Sequence, residues 1–432
     1  MADTPSNLPR RLLASAASRR GGAAKRTYAT DGERTAAAVV RVKKIFAAET
    51  GTFFVLLGTA LFLVVFGVVM VLSSSSVEQF VATKDFFGAF VRQGIFAAVG
   101  IPLMLLASRV SSRTWQKYAW HLLVASMVLQ LLVFSPLGVT VNGNRNWIHI
   151  GSFSAQPSEF MKLSLAIWIG MILVKKGDKL LDWRQVAVPL VPVVIIALAL
   201  VLRGGDLGTS LILMMLVAVA VFIAGVPLKF FIVPLIVIAV ALPVITHSAS
   251  SRTSRISAWL DGCSSAADYQ STCWQTTHGL WALASGGVFG VGLGNSKAKW
   301  SWLPEADNDF IFAIIGEELG LIGACVVLAL FIVLAVSFVK VVRRSDDPFV
   351  RIVTGGIMAW IVGEALVNIA VVLGLLPVLG VPLPLISAGG SSLVFTLLGL
   401  GVVLSFVRQH DDADLPVENS RGRAREQVGS LR

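Results

Sequence analysis

Residues 51–72 read GTFFVLLGTALFLVVFGVVMVL, 22 positions without one charged side chain. At 1.5 Å per residue, about 20 apolar residues in a helix cross the roughly 30 Å hydrocarbon core of a bilayer. Blocks of the same kind recur near 88–108, 116–134, 157–175, 185–202, 207–225, 228–246, 309–340, 351–374 and 385–407. The pattern predicts an all-α, polytopic membrane protein of about ten transmembrane helices. Composition agrees. Of 432 residues 55% are hydrophobic and 14% charged, and mean hydropathy is +0.78; a soluble domain carries about 25% charged residues.

The net charge of +11 is not a nucleic-acid signature, because the basic residues sit at the ends and between the apolar blocks. That placement marks loops facing anionic lipid. Residues 1–46 read as a disordered basic arm, 47–408 as the membrane domain, and 409–432 as a polar tail. The first apolar block starts too late and runs too long for a signal peptide. With the N-terminus inside, the inner loops carry Arg109, Arg113, Lys117, Lys175, Lys176, Lys179, Arg184, Lys229, Lys340, Arg343, Arg344 and Arg351. The short outer loops carry Lys84, Arg145 and Arg203. The bias puts both tails in the cytoplasm and residues 247–308 outside. A connection that long is usually functional. It contains Cys263 and Cys273, either a disulfide or two unpaired small residues; Cys325 sits in an apolar block. No nucleotide-binding loop, zinc-ligand spacing, nucleophile elbow or internal repeat is visible.

Polar residues at membrane depth are costly and therefore informative. The long loop ends Trp302-Leu303-Pro304-Glu305-Ala306-Asp307-Asn308-Asp309-Phe310, and the helix that follows contains Gly316-Glu317-Glu318-Leu319-Gly320. Asp309 reads either as a helix N-cap or as a reactive carboxylate. Glu317 and Glu318 read as buried acids paired with a basic or amide group. Glu159 and Lys162, three apart on a helix, can pair with each other. Arg145 follows Asn142-Gly143-Asn144 and can hold a phosphate or snorkel. Arg203-Gly204-Gly205-Asp206 reads as a tight turn. Arg252 and Arg255 share a helical face. A glycine-rich stretch, Gly286 to Gly294, reads as a hairpin ahead of Lys297 and Lys299. Pro382-Leu383-Pro384 through Ser387 and Gly389-Gly390-Ser391-Ser392 break an apolar region, which is tolerated where backbone lines a cavity or is buried in protein. One face thus collects a carboxylate and several cations, an arrangement suited to an anionic lipid headgroup.

These motifs, in this order, resemble the SEDS family (shape, elongation, division and sporulation) of peptidoglycan glycosyltransferases. The resemblance covers roughly 51–408 and favours the division type, FtsW, over the elongation type, RodA, through Met70-Val71-Leu72-Ser73, Ile315-Gly316-Glu317-Glu318 and the basic arm. It implies that the chain joins lipid II disaccharides into glycan strands at the division septum of the bacterial cell membrane. It implies Asp309 as the catalytic residue. Arg145, Arg203, Arg252, Arg255, Lys297, Lys299, Glu305 and Ser387 would then face the headgroup or diphosphate, with Glu159, Lys162, Asp206, Glu317 and Glu318 in support. A divalent cation (Mg or Mn) is compatible with such chemistry, though no metal site is readable. The implied partners are lipid II, a class B penicillin-binding protein transpeptidase, other divisome proteins and membrane lipid. The chain departs from the family pattern at Asp307-Asn308, where His-Thr is common, at His278, at Asn146 and at Gly204-Gly205. A lipid II flippase and a pure scaffold are the rival readings. The first needs polar groups through the whole membrane depth; the second needs Asp309 to be dispensable.

Overall fold

The apolar blocks of the sequence become helices in a computed structural model, which describes residues 51–141, 143–151, 153–247, 250–262, 273–300 and 302–414. The basic arm, Cys263 and residues 415–432 of the tail lie outside the described residues. Among the described residues there are twelve α-helices: α1 (Gly51–Thr83), α2 (Gly88–Ala107), α3 (Ser112–Leu132), α4 (Pro157–Lys176), α5 (Trp183–Arg203), α6 (Leu207–Ile223), α7 (Ile232–His247), α8 (Ser250–Leu260), α9 (Trp274–Gly286), α10 (Ile311–Arg344), α11 (Pro348–Val372) and α12 (Gly390–Asp414). Ten of them coincide with the ten apolar blocks, and α8 and α9 lie within the long connection. Seven are long and apolar enough by themselves to cross a membrane. The others fall short for plain reasons. Lys117, His121 and Gln130 dilute α3, α6 has 17 residues, and α7 is preceded by a 3-10 turn at Leu228–Phe231.

Burial sorts the bundle. Of the spanning window of α4, 89% is buried, against 22% for α5. Interior helices α4, α11 and α12 face protein, so they can carry polar side chains, whereas α5 shows Val188, Ile195 and Ile196 outward as lipid-facing helices do. α12 packs along α2, α11 along α6, α3 along α4, and α10 against α1, α9 and α11. Within the interior, Lys162 of α4 meets Glu159 at 2.9 Å and Glu364 of α11 at 2.8 Å, all at 2% exposure or less. Its ammonium also lies 5.1 Å from the centre of the Trp360 ring. Sequence spacing pointed to Glu159 alone; Glu364 comes from α11, 202 residues further on.

Between α3 and α4 stands a small antiparallel sheet that hydropathy does not reveal. Its strands are β1 (Gly138–Val141), β2 (Asn144–Ile150) and β3 (Phe153–Ala155), in the order β1-β2-β3. Trp147 pairs with Val139, and His149 with Ser154. The Arg145 N–H donates to the Gly204 carbonyl at 2.8 Å, which ties β2 to the turn between α5 and α6. A Cβ on Gly204 would stand 2.8 Å from the Arg145 carbonyl oxygen, so only glycine permits this approach.

The glycine-rich stretch is not a hairpin. Gly286 closes α9, and residues 287–292 plug a break in α10, where Gly320 adopts φ 69° and ψ −167°. In an unbroken helix Leu321 and Ile322 would donate to the carbonyls of Glu317 and Glu318. Instead they donate to Gly287 and Val288 (2.9 and 3.3 Å), and Val291 and Gly292 donate to Glu317 and Glu318 (2.9 and 3.0 Å). Four backbone groups that membrane depth would leave unpaired are therefore paired. A Cβ on Gly290 would lie 2.1 Å from the Glu318 carbonyl oxygen, and φ there is +82°. Gly290→Ala is expected to destabilise the purified protein by roughly 1–3 kcal/mol. A lower Tm in detergent checks this; an unchanged Tm would contradict the plug.

Candidate active site

The carboxylates after the plug explain why the break is held rigidly. Glu317 accepts from the Ser296 hydroxyl and from the backbone N–H groups of Lys297 (2.9 Å) and Ala298 (3.3 Å). Glu318 accepts from Ser73 Oγ of α1 at 2.6–2.7 Å and from Lys299 Nζ at 3.3 Å. Lys299 also donates to the Gly294 carbonyl at 2.5 Å and is buried. The two glutamates thus pin residues 294–299 to the first turns of α10. Lys299, expected among the cations facing a headgroup, is instead committed to this buried pair.

Asp309 stands immediately before α10. Phe310 occupies the N-cap position, and no side chain caps this helix. The Asp309 carboxylate is not a cap, and among the described residues none donates a hydrogen bond to it. Its backbone, by contrast, is firmly held. Asn368 Nδ2 of α11 donates to the Asp309 carbonyl at 2.8 Å and to Val381 at 2.7 Å. Ser387 Oγ donates to the Asn308 carbonyl at 2.7 Å, and the Ala388 N–H donates to Asp307 at 2.9 Å. Gln93 Nε2 of α2 donates to the Ser387 carbonyl at 2.9 Å. Residues 381–388 are therefore the clamp of the acidic segment. Ser387, expected at the headgroup, is a buried member of that clamp.

The field around this carboxylate is mostly negative. Burial pushes the Asp309 carboxyl up to about 7; Glu305 and Asp206 push it the same way, Arg255 opposes them, and Asp307 adds to the rise. Asp307 rises to about 6 through burial and through Glu78 and Glu305, against Arg92. Asp206 caps α6, accepting from the Thr209 N–H and hydroxyl at 2.8 and 2.7 Å and from Gln156 Nε2 at 2.8 Å. Burial raises its pKa too, and the Thr209 hydrogen bonds work against that rise. Glu305 sits at φ 55°, with its carbonyl receiving Asn308 and Phe310.

The cations are unevenly placed. Arg255 on α8 and Lys297 are exposed, and Arg252 lies on α8 one turn before Arg255. Arg145 spends Nε and one terminal nitrogen on the carbonyls of Val133 (3.1 Å) and Ser135 (2.9 Å) at the end of α3. Arg203 is exposed, with its guanidinium 5.6 Å from the Phe134 ring centre. Cys273 is disulfide-bonded, and Cys325 is a free thiol. Glu78, Arg92 and Asn368 were not visible as site residues in the sequence. Asn368 had a usable signal, an amide inside an apolar span.

A family model described as a cell cycle protein, spanning FtsW, RodA and SpoVE, matches residues 54–412. The chain belongs to this family. A probable peptidoglycan glycosyltransferase FtsW of Mycobacterium tuberculosis (strain ATCC 25618 / H37Rv) is 35% identical over 363 residues, 84% of this chain and 69% of that protein. One of Geobacter metallireducens is 38% identical, covering 81% of this chain and 93% of its own length. Stage V sporulation protein E of Bacillus subtilis is 35% identical over 81% and 94%. Among solved structures, a chain from the structural coordination of polymerization and crosslinking by a peptidoglycan synthase complex superposes with a TM-score of 0.67 at 26% identity, covering 82% of this chain and 98% of that one. The rod shape determining protein RodA of Thermus thermophilus gives a TM-score of 0.62 at 26% identity, over 84% and 98%. The FtsW/RodA/SpoVE fold and its multi-pass membrane character follow for this chain.

Removing one partner of a buried ion pair strands the other charge, at about 3–5 kcal/mol. Lys299→Met should lower the unfolding free energy by that amount, and with it the Tm, and the double variant Lys299→Met/Glu318→Leu should recover much of the loss. Thermal unfolding in detergent measures both.

Proposed function

We propose that this chain is a peptidoglycan glycosyltransferase that polymerises lipid II at the division septum, with Asp309 as general base. The observation that carries the reading is the Asp309 carboxylate. Its backbone is clamped from α11 and from the segment before α12, its oxygens are unclaimed by any described donor, and its pKa is lifted to about 7. An ordinary aspartate, near 3.9, is a poor proton acceptor at neutral pH. One poised near the working pH is a competent base.

In the reaction the GlcNAc 4-hydroxyl of one lipid-linked disaccharide gives its proton to Asp309. Its oxygen bonds to the anomeric carbon of the second glycan, and the bond from that carbon to the diphosphate breaks. The lipid diphosphate leaves on the opposite face, with inversion. Lys297, Arg203 and Arg92 are exposed cations that can attract the departing diphosphate, whereas Lys299 is engaged elsewhere. Among the described residues no three His, Cys, Asp or Glu side chains converge as a metal site, so no step is assigned to a divalent cation.

The basic inner loops support an orientation with both termini cytoplasmic and the site at the outer surface, where lipid II is used. The likeness to a chain of a peptidoglycan synthase complex supports a class B penicillin-binding protein as crosslinking partner, among other divisome proteins.

Asp309→Asn should retain lipid II binding and lose glycan polymer by roughly 10²–10⁴-fold. Gel analysis of polymer made by purified protein and labelled lipid II decides it; wild-type polymer lengths from the variant would exclude the base role. Because the base must be ionised, kcat/KM should rise with pH, half-maximal near pH 7 in the free enzyme. Removing the negative charge of Glu305 (Glu305→Gln) should move that limb to lower pH. Arg255→Gln should move it higher. A pH profile of initial rates reads both shifts.

A further inference from the structure

Three charged side chains inside the bundle take no part in the chemistry proposed above. Lys162 of α4 lies 2.9 Å from Glu159 and 2.8 Å from Glu364 of α11, and all three are buried. Two acids share one base. Lys162 and Glu159 alone would balance, so Glu364 adds an unmatched negative charge. Buried charge is expensive even when paired, and apolar side chains of similar volume often serve stability as well or better. Stability therefore does not account for Glu364. Its place on the helix does. Asn368 stands four residues further along α11, on the same face, and its Nδ2 donates to the carbonyls of Asp309 (2.8 Å) and Val381 (2.7 Å). On α4, Gln156 stands three residues before Glu159, and its Nε2 donates to the Asp206 carboxylate at 2.8 Å. The three charges thus join the helix that holds the Asp309 backbone to the helix that holds Asp206.

We infer that Glu364 is a positioning residue for Asp309: its ion pair with Lys162 fixes the register of α11 against α4, and Asn368 passes that register on to the aspartate. The inference rests on the glycosyltransferase reading and adds a residue that acts through Asn368 without reaching the substrate. Away from Asp309, α4 and α11 meet through small residues. A Cβ on Gly170 would stand 2.5 Å from Val353 Cγ2, and one on Gly356 would stand 3.6 Å from the Ala166 Cβ. Such packing brings the helices close, but apolar attraction has no direction of its own. A hydrogen-bonded ion pair does, and selecting one arrangement among several is the best-attested use of buried polar groups. α11 grips Lys162 at two points one turn apart. Glu364 accepts from its ammonium, and the Trp360 ring centre lies 5.1 Å from the same nitrogen. A slip of one residue along the axis would carry Asn368 by about 1.5 Å, which is enough to break both of its hydrogen bonds.

The test uses the full-length protein in detergent. Glu364→Leu leaves the balanced Lys162–Glu159 pair and strands no charge. It should lower kcat about tenfold and leave the lipid II KM within about twofold, because the aspartate is displaced and not removed. Its Tm should stay within about 3 °C of the wild type. Glu364→Gln still accepts from Lys162 and should keep roughly half of kcat or more. Hydrogen–deuterium exchange, read without lipid II, should be faster over residues 305–311 in Glu364→Leu and as slow as wild type in Glu364→Gln. If Glu364→Leu does not fold, the all-neutral variant Glu159→Gln/Lys162→Met/Glu364→Leu takes its place with the same expectations. Wild-type kcat without Glu364, an equal loss in Glu364→Gln, or unaltered exchange over 305–311 would each overturn the positioning role. The exchange measurement needs no turnover. A wild type that makes no polymer would defeat the glycosyltransferase reading, while exchange would still decide whether Glu364 holds the segment.

Discussion

A transmembrane helix can be interrupted only if something replaces the backbone hydrogen bonds it gives up. At Gly320 that replacement is a loop of the same chain, residues 287–292, exchanging four hydrogen bonds with the two sides of the break. Everything at the loop-bearing end depends on it. The plug lets Glu317 and Glu318 turn their carboxylates back toward residues 294–299, and those contacts fix the approach of the chain to Asp309. Glycine is required on both sides, because a side chain at 290 or 320 would meet backbone atoms at 2.1–2.4 Å.

The same end concentrates negative charge. Glu305, Asp206 and Asp307 all act on the Asp309 carboxyl and Glu305 on Asp307, while Arg255 and Arg92 answer them only in part. For stability alone this is a poor arrangement. For proton transfer it is useful, since mutual repulsion and burial keep a carboxyl close to the neutral range instead of three units below it.

The ten apolar blocks were legible because hydropathy is a direct reading of the solvent, and the ten matching helices follow them. Their ends were less legible. α1 runs on through Ser73–Ser76 to Thr83, and α12 starts at Gly390 because 381–389 are occupied as a clamp. The three-stranded sheet was hidden: its strands are three to seven residues long and carry no hydropathy signal. Asp309 was legible as a carboxylate at a helix mouth, but local pattern could not separate a cap from a reactive group. That distinction lies in where its oxygens point. Lys299 misled for the same reason, since a lysine after a glycine run looks exposed until Glu318 is found beside it. Asn368 and Glu364 act across the bundle, 59 and 202 residues from their partners, and no local window contains both ends of such a pair.

The clamp on residues 307–309 is drawn from Asn368, Ser387 and Ala388, all of which leave the ribosome after the aspartate they hold. During synthesis the acidic segment is therefore in place for some 80 residues of further translation before its seat exists. α11 and the segment that follows it must be made before the acidic segment is held. An enzyme built this way cannot act on its substrate as a nascent fragment, and a chain cut short before α11 would keep its aspartate yet have nothing to aim it.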